Sequence, residues 1–490
     1  MNHSVFPKST RSRISTWAVP FFSVLFVLFF SACAAVGPDY VAPAPKMPDD
    51  WQTQLQDGLK DDPASAELLA RWWDTLDDPL LTELILQALK DSPDIRQAIA
   101  RVRQSRASRS MARSAYYPTL DADGSVTTQR KSRDSSNTSS GVEQEWYEGG
   151  FDAGWEIDVF GGVRRSVEAA DADLQAVEAD LENVRVTLAA EVARNYLEAR
   201  TYQYRLDVAI ANIQTQQSTV DLIESRFEAG VTGELDVQQA RYNLENTRSQ
   251  LPVLRSGLEA SKNRLAVLTG QIPGSLHEQL QQRQPIPVPP IEVAVGVPAE
   301  TLRRRTDVRS AERQLAAQSA RIGVATADLY PKFKLIGSIG LESLHSDDFF
   351  DKSSRFWTLG PSVSWRIFDA GAIRSNIEIQ SALQEQYLAI YERTLLTALE
   401  EVENALTAYA EEQSRRDYLK NAVTAAQRAV DLAQDRYGAG VVDFSNVLDA
   451  QRSLLSFQDA LAQSEGLVTT NLIVLYKALG GGWEPYAVAE

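Results

Sequence analysis

Between residues 119 and 129 the chain alternates: Leu120, Ala122, Gly124 and Val126 fall on one side, Asp121, Asp123, Ser125 and Thr127 on the other. A period of two sends successive side chains to opposite faces of a strand, so this segment predicts a strand with one apolar and one wet face. The alternation recurs where Phe151, Ala153, Trp155, Ile157 and Val159 are interleaved with Asp152, Gly154, Glu156 and Asp158. It returns with Phe333, Leu335, Gly337, Ile339 and Leu341, and again with Trp357, Leu359, Val363, Trp365 and Ile367. Polar segments at 130–145 and 345–355 join the members of each pair, which predicts two β-hairpins.

After each hairpin the period lengthens to that of a helix, over residues 163–229 and 373–437. Helices of this length reach on the order of 100 Å. Leu174, Val177, Leu181, Val184 and Leu188 keep a heptad seam until Val192 shifts its phase. Small residues (Ala169, Ala170, Ala189, Ala190, Ala193) allow neighbouring helices to approach closely. Gly230 stops the first long helix and another is expected over 235–268, so 230–233 and 440–443 are the tips of two helical hairpins. Pro252 predicts a kink or break in the first returning helix.

The two halves are copies of one unit. Asp94-Ile95-Arg96-Gln97-Ala98 answers Asp307-Val308-Arg309-Ser310-Ala311, Tyr117-Pro118 answers Tyr330-Pro331, and residues 226–231 answer 436–441. The organisation read from this is a signal segment 1–32, an N-terminal linker and equatorial segment 33–92, a first repeat 93–270, a connector 271–305, a second repeat 306–480 and a tail 481–490.

Strands of about ten residues are long enough to cross an outer membrane, but four cannot close a barrel, for which about eight is the smallest count. An open edge in lipid leaves backbone groups unpaired at several kcal/mol each. Three copies would supply twelve strands and six helical hairpins, enough for a closed barrel and a hollow helical cylinder. Periodicity does not separate a lipid-facing surface from the inside of a β-sandwich. An almost uncharged face and recurring Phe151, Trp155, Trp357 and Trp365, placed as an interfacial belt would need, favour lipid.

Charge and chemistry narrow the function. A net charge of −17 argues against nucleic acid as a partner and fits a solvated surface or an acidic lumen. The three histidines, His3, His277 and His345, lie far apart, and no nucleophile, base or metal-ligand constellation indicates an enzyme. Lys8, Arg11 and Arg13 precede an apolar run from Trp17 to Phe30, the layout of a signal peptide. That run ends in Phe30-Ser31-Ala32-Cys33, and Cys33 is the only cysteine, so no disulfide can form within the chain.

Residues 30–33 resemble a bacterial lipobox. The ordered set Gly37-Pro38-Asp39-Tyr40, Trp72-Trp73, Asp78-Pro79-Leu80, Tyr117-Pro118, residues 155–161, Phe368-Asp369-Ala370-Gly371, residues 304–309 and residues 447–452 resembles the outer-membrane factor family, the TolC-like channel-tunnels, in its lipoprotein branch serving resistance-nodulation-division efflux pumps. The resemblance implies a mostly α fold with a transmembrane β part: a trimeric 12-stranded β-barrel, four strands per chain, continued by a long α-helical barrel. It implies an outer-membrane lipoprotein with a long periplasmic extension, carrying N-acyl and diacylglyceryl lipid on Cys33 and no other cofactor. Its partners would be two further copies, a periplasmic adaptor, an inner-membrane pump and outer-membrane lipid.

The tips to meet the adaptor are Arg226, Phe227, Gly230, Val231 and Leu235 in the first repeat and Arg436, Tyr437, Gly440, Val441 and Phe444 in the second. Exposed apolar groups at a turn need a partner, although the same residues also suit helix caps and local packing. Asp449, where the first repeat has Gln239, is the expected periplasmic gate residue, with Asp443 beside it; a solvated helix face is the alternative. Drugs and small toxic compounds are the expected cargo. The exit duct of a type I protein-secretion system and a periplasmic coiled-coil or adaptor lipoprotein are the other readings.

Overall fold

The computed structural model describes residues 35–44, 47–56, 58–62, 65–130, 132, 142–287, 289 and 293–483. Cys33 and the signal segment 1–32 lie outside the described residues, as do 484–490 of the tail. In chain order the elements are β1 (Leu59–Lys60), α1 (Ala66–Ala70), a 3-10 turn at Trp72–Leu76, α2 (Pro79–Asp91), α3 (Pro93–Ser114), β2 (Thr119–Arg130) and β3 (Glu143–Ile157). Then come α4 (Gly162–Glu228), α5 (Glu234–Leu268), β4 (Val293–Ala294), α6 (Pro298–Arg304), α7 (Thr306–Ala327), β5 (Lys332–Ser343), β6 (Arg355–Ser364), α8 (Ala372–Gly438) and α9 (Phe444–Ala478). The duplication holds to the residue: α4 and α8 each have 67 residues, α5 and α9 each 35.

The chain divides into two compact units. One contains Arg106–Asp173, Leu315–Tyr387 and the residues up to Ala42. Its strands form one antiparallel sheet in the order β2-β3-β5-β6, so the two hairpins stand side by side. Phe151 lies opposite Ala122 and Ile339, and Ile339 opposite Trp357. Asp121 faces Asp152, which faces Ser338, which faces Thr358. One face of the sheet is therefore apolar and the other polar, as the alternation requires. β3 starts earlier than the alternation suggests, at Glu143, because Arg130 pairs with it and backbone pairing carries the hairpin into the polar linker. β6 ends at Ser364, and Trp365 beyond it donates its indole N–H to the Leu329 carbonyl at 3.0 Å.

The other unit contains Pro43–Ser105, Leu174–Gln314 and Leu388–Glu490. Its main core gathers Trp72, Tyr196, Leu197, Leu265, Tyr409, Leu472 and Tyr476. β1 pairs with β4 in parallel, Leu59 opposite Val293, and the Trp51 indole donates to the Gly296 carbonyl at 2.6 Å. At the other terminus Gly482 N–H bonds the Leu69 carbonyl at 2.8 Å, and Trp72 stacks on Tyr476 at 5.8 Å.

Three buried charged groups organise this core. Asp78 caps α2 by accepting from the Leu80 and Leu81 N–H groups, and its second oxygen accepts from the Tyr196 hydroxyl at 2.6 Å. Arg200 donates to that hydroxyl, to the Gln282 carbonyl and to the Gln203 and Gln284 side chains. Arg305 donates to the Ala478 carbonyl, Asp307 and Glu401, spending its planar fork on several acceptors at once.

α5 continues as one helix through Pro252, so of the expected kink or break the break does not occur. Pro252 sits on an exposed part of the helix, where water can serve the carbonyl that loses its N–H partner.

Candidate functional site

Both helical tips close in the same way. The Val231 N–H bonds the Arg226 carbonyl at 2.9 Å and the Gly230 N–H bonds the Phe227 carbonyl at 2.9 Å; Val441 to Arg436 and Gly440 to Tyr437 repeat the pair at 2.9 and 3.0 Å. This 6→1 and 5→2 pairing requires a left-handed residue after the helix, and Gly230 and Gly440 both have φ of +72°. The turns push their apolar side chains outward: Val231 is 70% and Val441 71% exposed, and Leu235 and Phe227 are exposed too.

Phe444 does not share that exposure. It is 2% exposed, packed with Val220, Ile223, Val237, Ala240, Leu244, Val447 and Leu448, and its ring lies 5.3 Å from that of Tyr437. The expectation of an exposed docking residue is corrected there, because position 444 begins α9 facing the other hairpin. Tyr437 is half-buried and carries the half-buried Arg226 over its ring at 4.9 Å, while Arg436 stays exposed. Local packing therefore accounts for Phe444 and Tyr437, and exposed apolar surface for Phe227, Val231, Leu235 and Val441.

Asp443 is the N-cap residue of α9 and is exposed; its carbonyl, rather than its side chain, accepts from Asn446 N–H at 3.1 Å. Asp449 is exposed and lies 3.5 Å from the Arg452 guanidinium. Arg452 also donates to Asn243 Oδ1 at 3.0 Å and to the Tyr242 hydroxyl, with its guanidinium 5.3 Å from that ring's centroid. The candidate gate carboxylate thus sits beside an arginine that ties α9 to α5. In the sequence Arg452 belongs to the 447–452 motif, whereas no motif marks Tyr242 or Asn243. Just beyond lies a buried polar layer: Gln451 donates to Thr219 at 3.1 Å, while both amide atoms of Gln216, Asn243 Nδ2 and Gln451 Oε1 have no partner among the described residues.

The sheet offers a different surface. Leu120, Ile339, Trp357 and Leu359 on its apolar face are all well over half exposed, and the outer edges of β2 and β6 have no strand partner among the described residues. A contiguous apolar face of this kind marks contact with protein or lipid. Among the described residues no group of three or more His, Cys, Asp or Glu could hold a metal, and no helix is long and apolar enough to cross a membrane.

Two stretches, 84–271 and 297–481, match the family model for outer membrane efflux proteins. The chain belongs to the outer membrane efflux protein family. Like other members it is an outer-membrane channel protein of efflux, with the channel-tunnel fold. Nodulation protein T of Rhizobium leguminosarum bv. trifolii is 32% identical over 484 residues, covering 97% of this chain and 99% of the relative. The toluene efflux pump outer membrane protein TtgI of Pseudomonas putida is 32% identical over 471 residues, covering 95% and 98%. Among solved structures, the outer-membrane channel OprN superposes with a TM-score of 0.86 at 36% identity, covering 92% of this chain and all of that one. The MtrE channel of Neisseria gonorrhoeae, solved in its open state, gives 0.79 at 27% identity, covering 92% and 99%.

Proposed function

We propose that three copies of this chain form a passive exit duct, the outer-membrane part of a tripartite efflux machine that moves small toxic compounds and performs no chemistry on them. The observation that carries the trimer is the four-stranded sheet with two open edges and an exposed apolar face. In hydrocarbon each unpaired edge group costs several kcal/mol, and a closed ring of twelve strands removes all of them. Toluene export by TtgI and solvent export by SrpC of Pseudomonas putida support small apolar cargo over a protein substrate.

The helical tips face the periplasm and dock an adaptor, which buries Val231 and Val441 and couples the duct to an inner-membrane pump. Asp449, steadied by Arg452, lines the periplasmic aperture, and Asp443 stands nearer the tip. Three copies of an acidic side chain around one axis favour cations in the opening. Cys33 carries diacylglyceryl and N-acyl chains, and several chains hold a protein at the membrane where one would bind only marginally.

Photo-crosslinking from Val231 and Val441 in intact cells, with the captured protein identified by mass spectrometry and the complex weighed in detergent, tests this. A trimer captured with a periplasmic adaptor is the expected result. A monomer, or no periplasmic partner at either tip, would overturn it.

A further inference from the structure

Arg165, in the first turn of α4, is buried although it is charged, with its side chain only 5% exposed. It directs its donors at the segment that follows Cys33: Nε to the Val36 carbonyl at 3.1 Å, Nη2 to the Gly37 carbonyl at 3.4 Å and to Asp39 Oδ1 at 2.6 Å. Nη1 binds Glu168 at 2.8 Å. The segment is also held by its own backbone, the Val36 N–H donating to the Phe160 carbonyl at 3.0 Å. Packing leaves no slack. A Cβ on Gly37, where φ is +88°, would come within 2.4 Å of Gly323 Cα; one on Gly323 would meet Arg165 Cγ at 2.7 Å; one on Gly161 would meet Ala35 Cβ at 2.5 Å.

Burying a guanidinium costs several kcal/mol unless its donors are satisfied. Here they are satisfied by two main-chain carbonyls and the Asp39 carboxylate of one short segment and by Glu168 in α4 itself, so what Arg165 accomplishes is to hold residues 36–39 against the start of α4. The place is chemically distinctive. Phe160 stacks on Tyr330 at 4.6 Å and lies 6.5 Å from Phe333, and the indole of Trp155 donates to the Tyr116 carbonyl, which makes an aromatic group at this end of the sheet. Such groups sit at the headgroup level of a bilayer.

We infer that Arg165 is a positioning residue for the lipid anchor: it makes the acylated N-terminus a fixed-depth attachment, delivering the chains of Cys33 into lipid beside the Phe160–Tyr330–Phe333 aromatic group. This rests on the acylation of Cys33 proposed above. Cys33 stands two residues before Ala35, a reach of about 7 Å at most, whereas a flexible tether of about ten residues roams roughly 18 Å. With the segment locked, the anchor and the sheet share one membrane level.

The test is to feed cells a diazirine-bearing fatty acid, irradiate membranes containing the full chain, and map cross-linked peptides by mass spectrometry. In the unsubstituted chain the cross-links concentrate on residues 154–160 and 329–336. In Arg165→Gln that concentration falls about tenfold, the effect of losing a charge-assisted hydrogen bond, while the amount of attached fatty acid is unchanged. Asp39→Asn removes only an exposed partner and opens no cavity; it gives a smaller loss in the same direction and serves if Arg165→Gln fails to accumulate. Fatty acid attached with the same cross-link pattern, concentrated or dispersed, in the unsubstituted chain and both variants overturns the inference. No fatty acid on Cys33 overturns the acylation reading instead, and the inference falls with it.

Discussion

The guanidinium of Arg226 stands 4.9 Å from the centre of the Tyr437 ring, joining the tip of the first repeat to the tip of the second. Neither residue's own repeat supplies the contact, so the two hairpins present their turns as one surface. A double-mutant cycle of Arg226→Ala and Tyr437→Ala, read by thermal unfolding, is expected to give a coupling of about 0.5–1 kcal/mol. Strict additivity would show that the two tips are independent.

Val231→Asp and Val441→Asp place a charge on surface that the adaptor is expected to cover. Losing one buried valine contact, roughly 1.5 kcal/mol, corresponds to about tenfold in affinity, and the charge adds to it. Solvent or drug tolerance of cells should fall for each variant and further for the pair, at unchanged abundance in the outer membrane. Unaltered tolerance in the double variant would remove the tips from docking.

Asp449 and Arg452 form an exposed pair at 3.5 Å, of a kind worth about 1 kcal/mol or less, so neutralising Asp449 should spare the fold. Asp449→Asn is expected to lower the cation preference of single channels in planar bilayers. Arg452→Ala, which also releases Tyr242 and Asn243, is expected to raise basal conductance. Identical selectivity in Asp449→Asn would place that carboxylate away from the aperture.

Tyr196→Phe removes the hydroxyl that donates to Asp78 at 2.6 Å and accepts from Arg200 at 3.0 Å. Burial, helped by the bond to Asp78, pushes the Tyr196 hydroxyl well above its ordinary pKa, so it stays a donor across the working pH range. Stranding a buried carboxylate oxygen should cost about 1–3 kcal/mol, measured by denaturant unfolding.

Glu465 lines a cavity of about 600 Å³ with Tyr204, Asp207, Arg283, Arg416 and Lys420. Burial raises its pKa, against the opposing pull of Lys420 and Arg416. The folded state therefore holds the proton more tightly than the unfolded chain, and the resulting destabilisation is absent at low pH and grows as pH rises through the folded value. Glu465→Gln should raise the unfolding temperature at pH 7, and the difference should shrink as pH is lowered towards the ordinary carboxyl value of 4.5. A difference that is constant with pH would point to packing instead.

Strands, long helices, tips and duplication were all legible in the sequence because each is written in local order: a period of two, a period near 3.6, a glycine where the helix must turn back. The positions of the tip residues Gly230, Val231, Gly440 and Val441 followed from that order alone. What stayed hidden depends on which helix faces which. Phe444 reads as a residue just past a turn, and only the packing of α9 against α4 and α5 buries it. Pro252 reads as a break, and only its place on an exposed helix face lets α5 run on.

Arg165, Arg200, Arg305 and Arg452 read as four charges among the 49 lysines and arginines. Three of them are buried and one joins two helices, each because acceptors far away in sequence converge on it. The sequence by itself determined the elements, their repetition and the apolar stripe on each strand, since these follow from side-chain direction along a regular backbone. The tertiary structure decided the buried charges, the joined tips and the clamp behind Cys33, since a guanidinium leaves water only where distant carbonyls and carboxylates are already arranged to receive it.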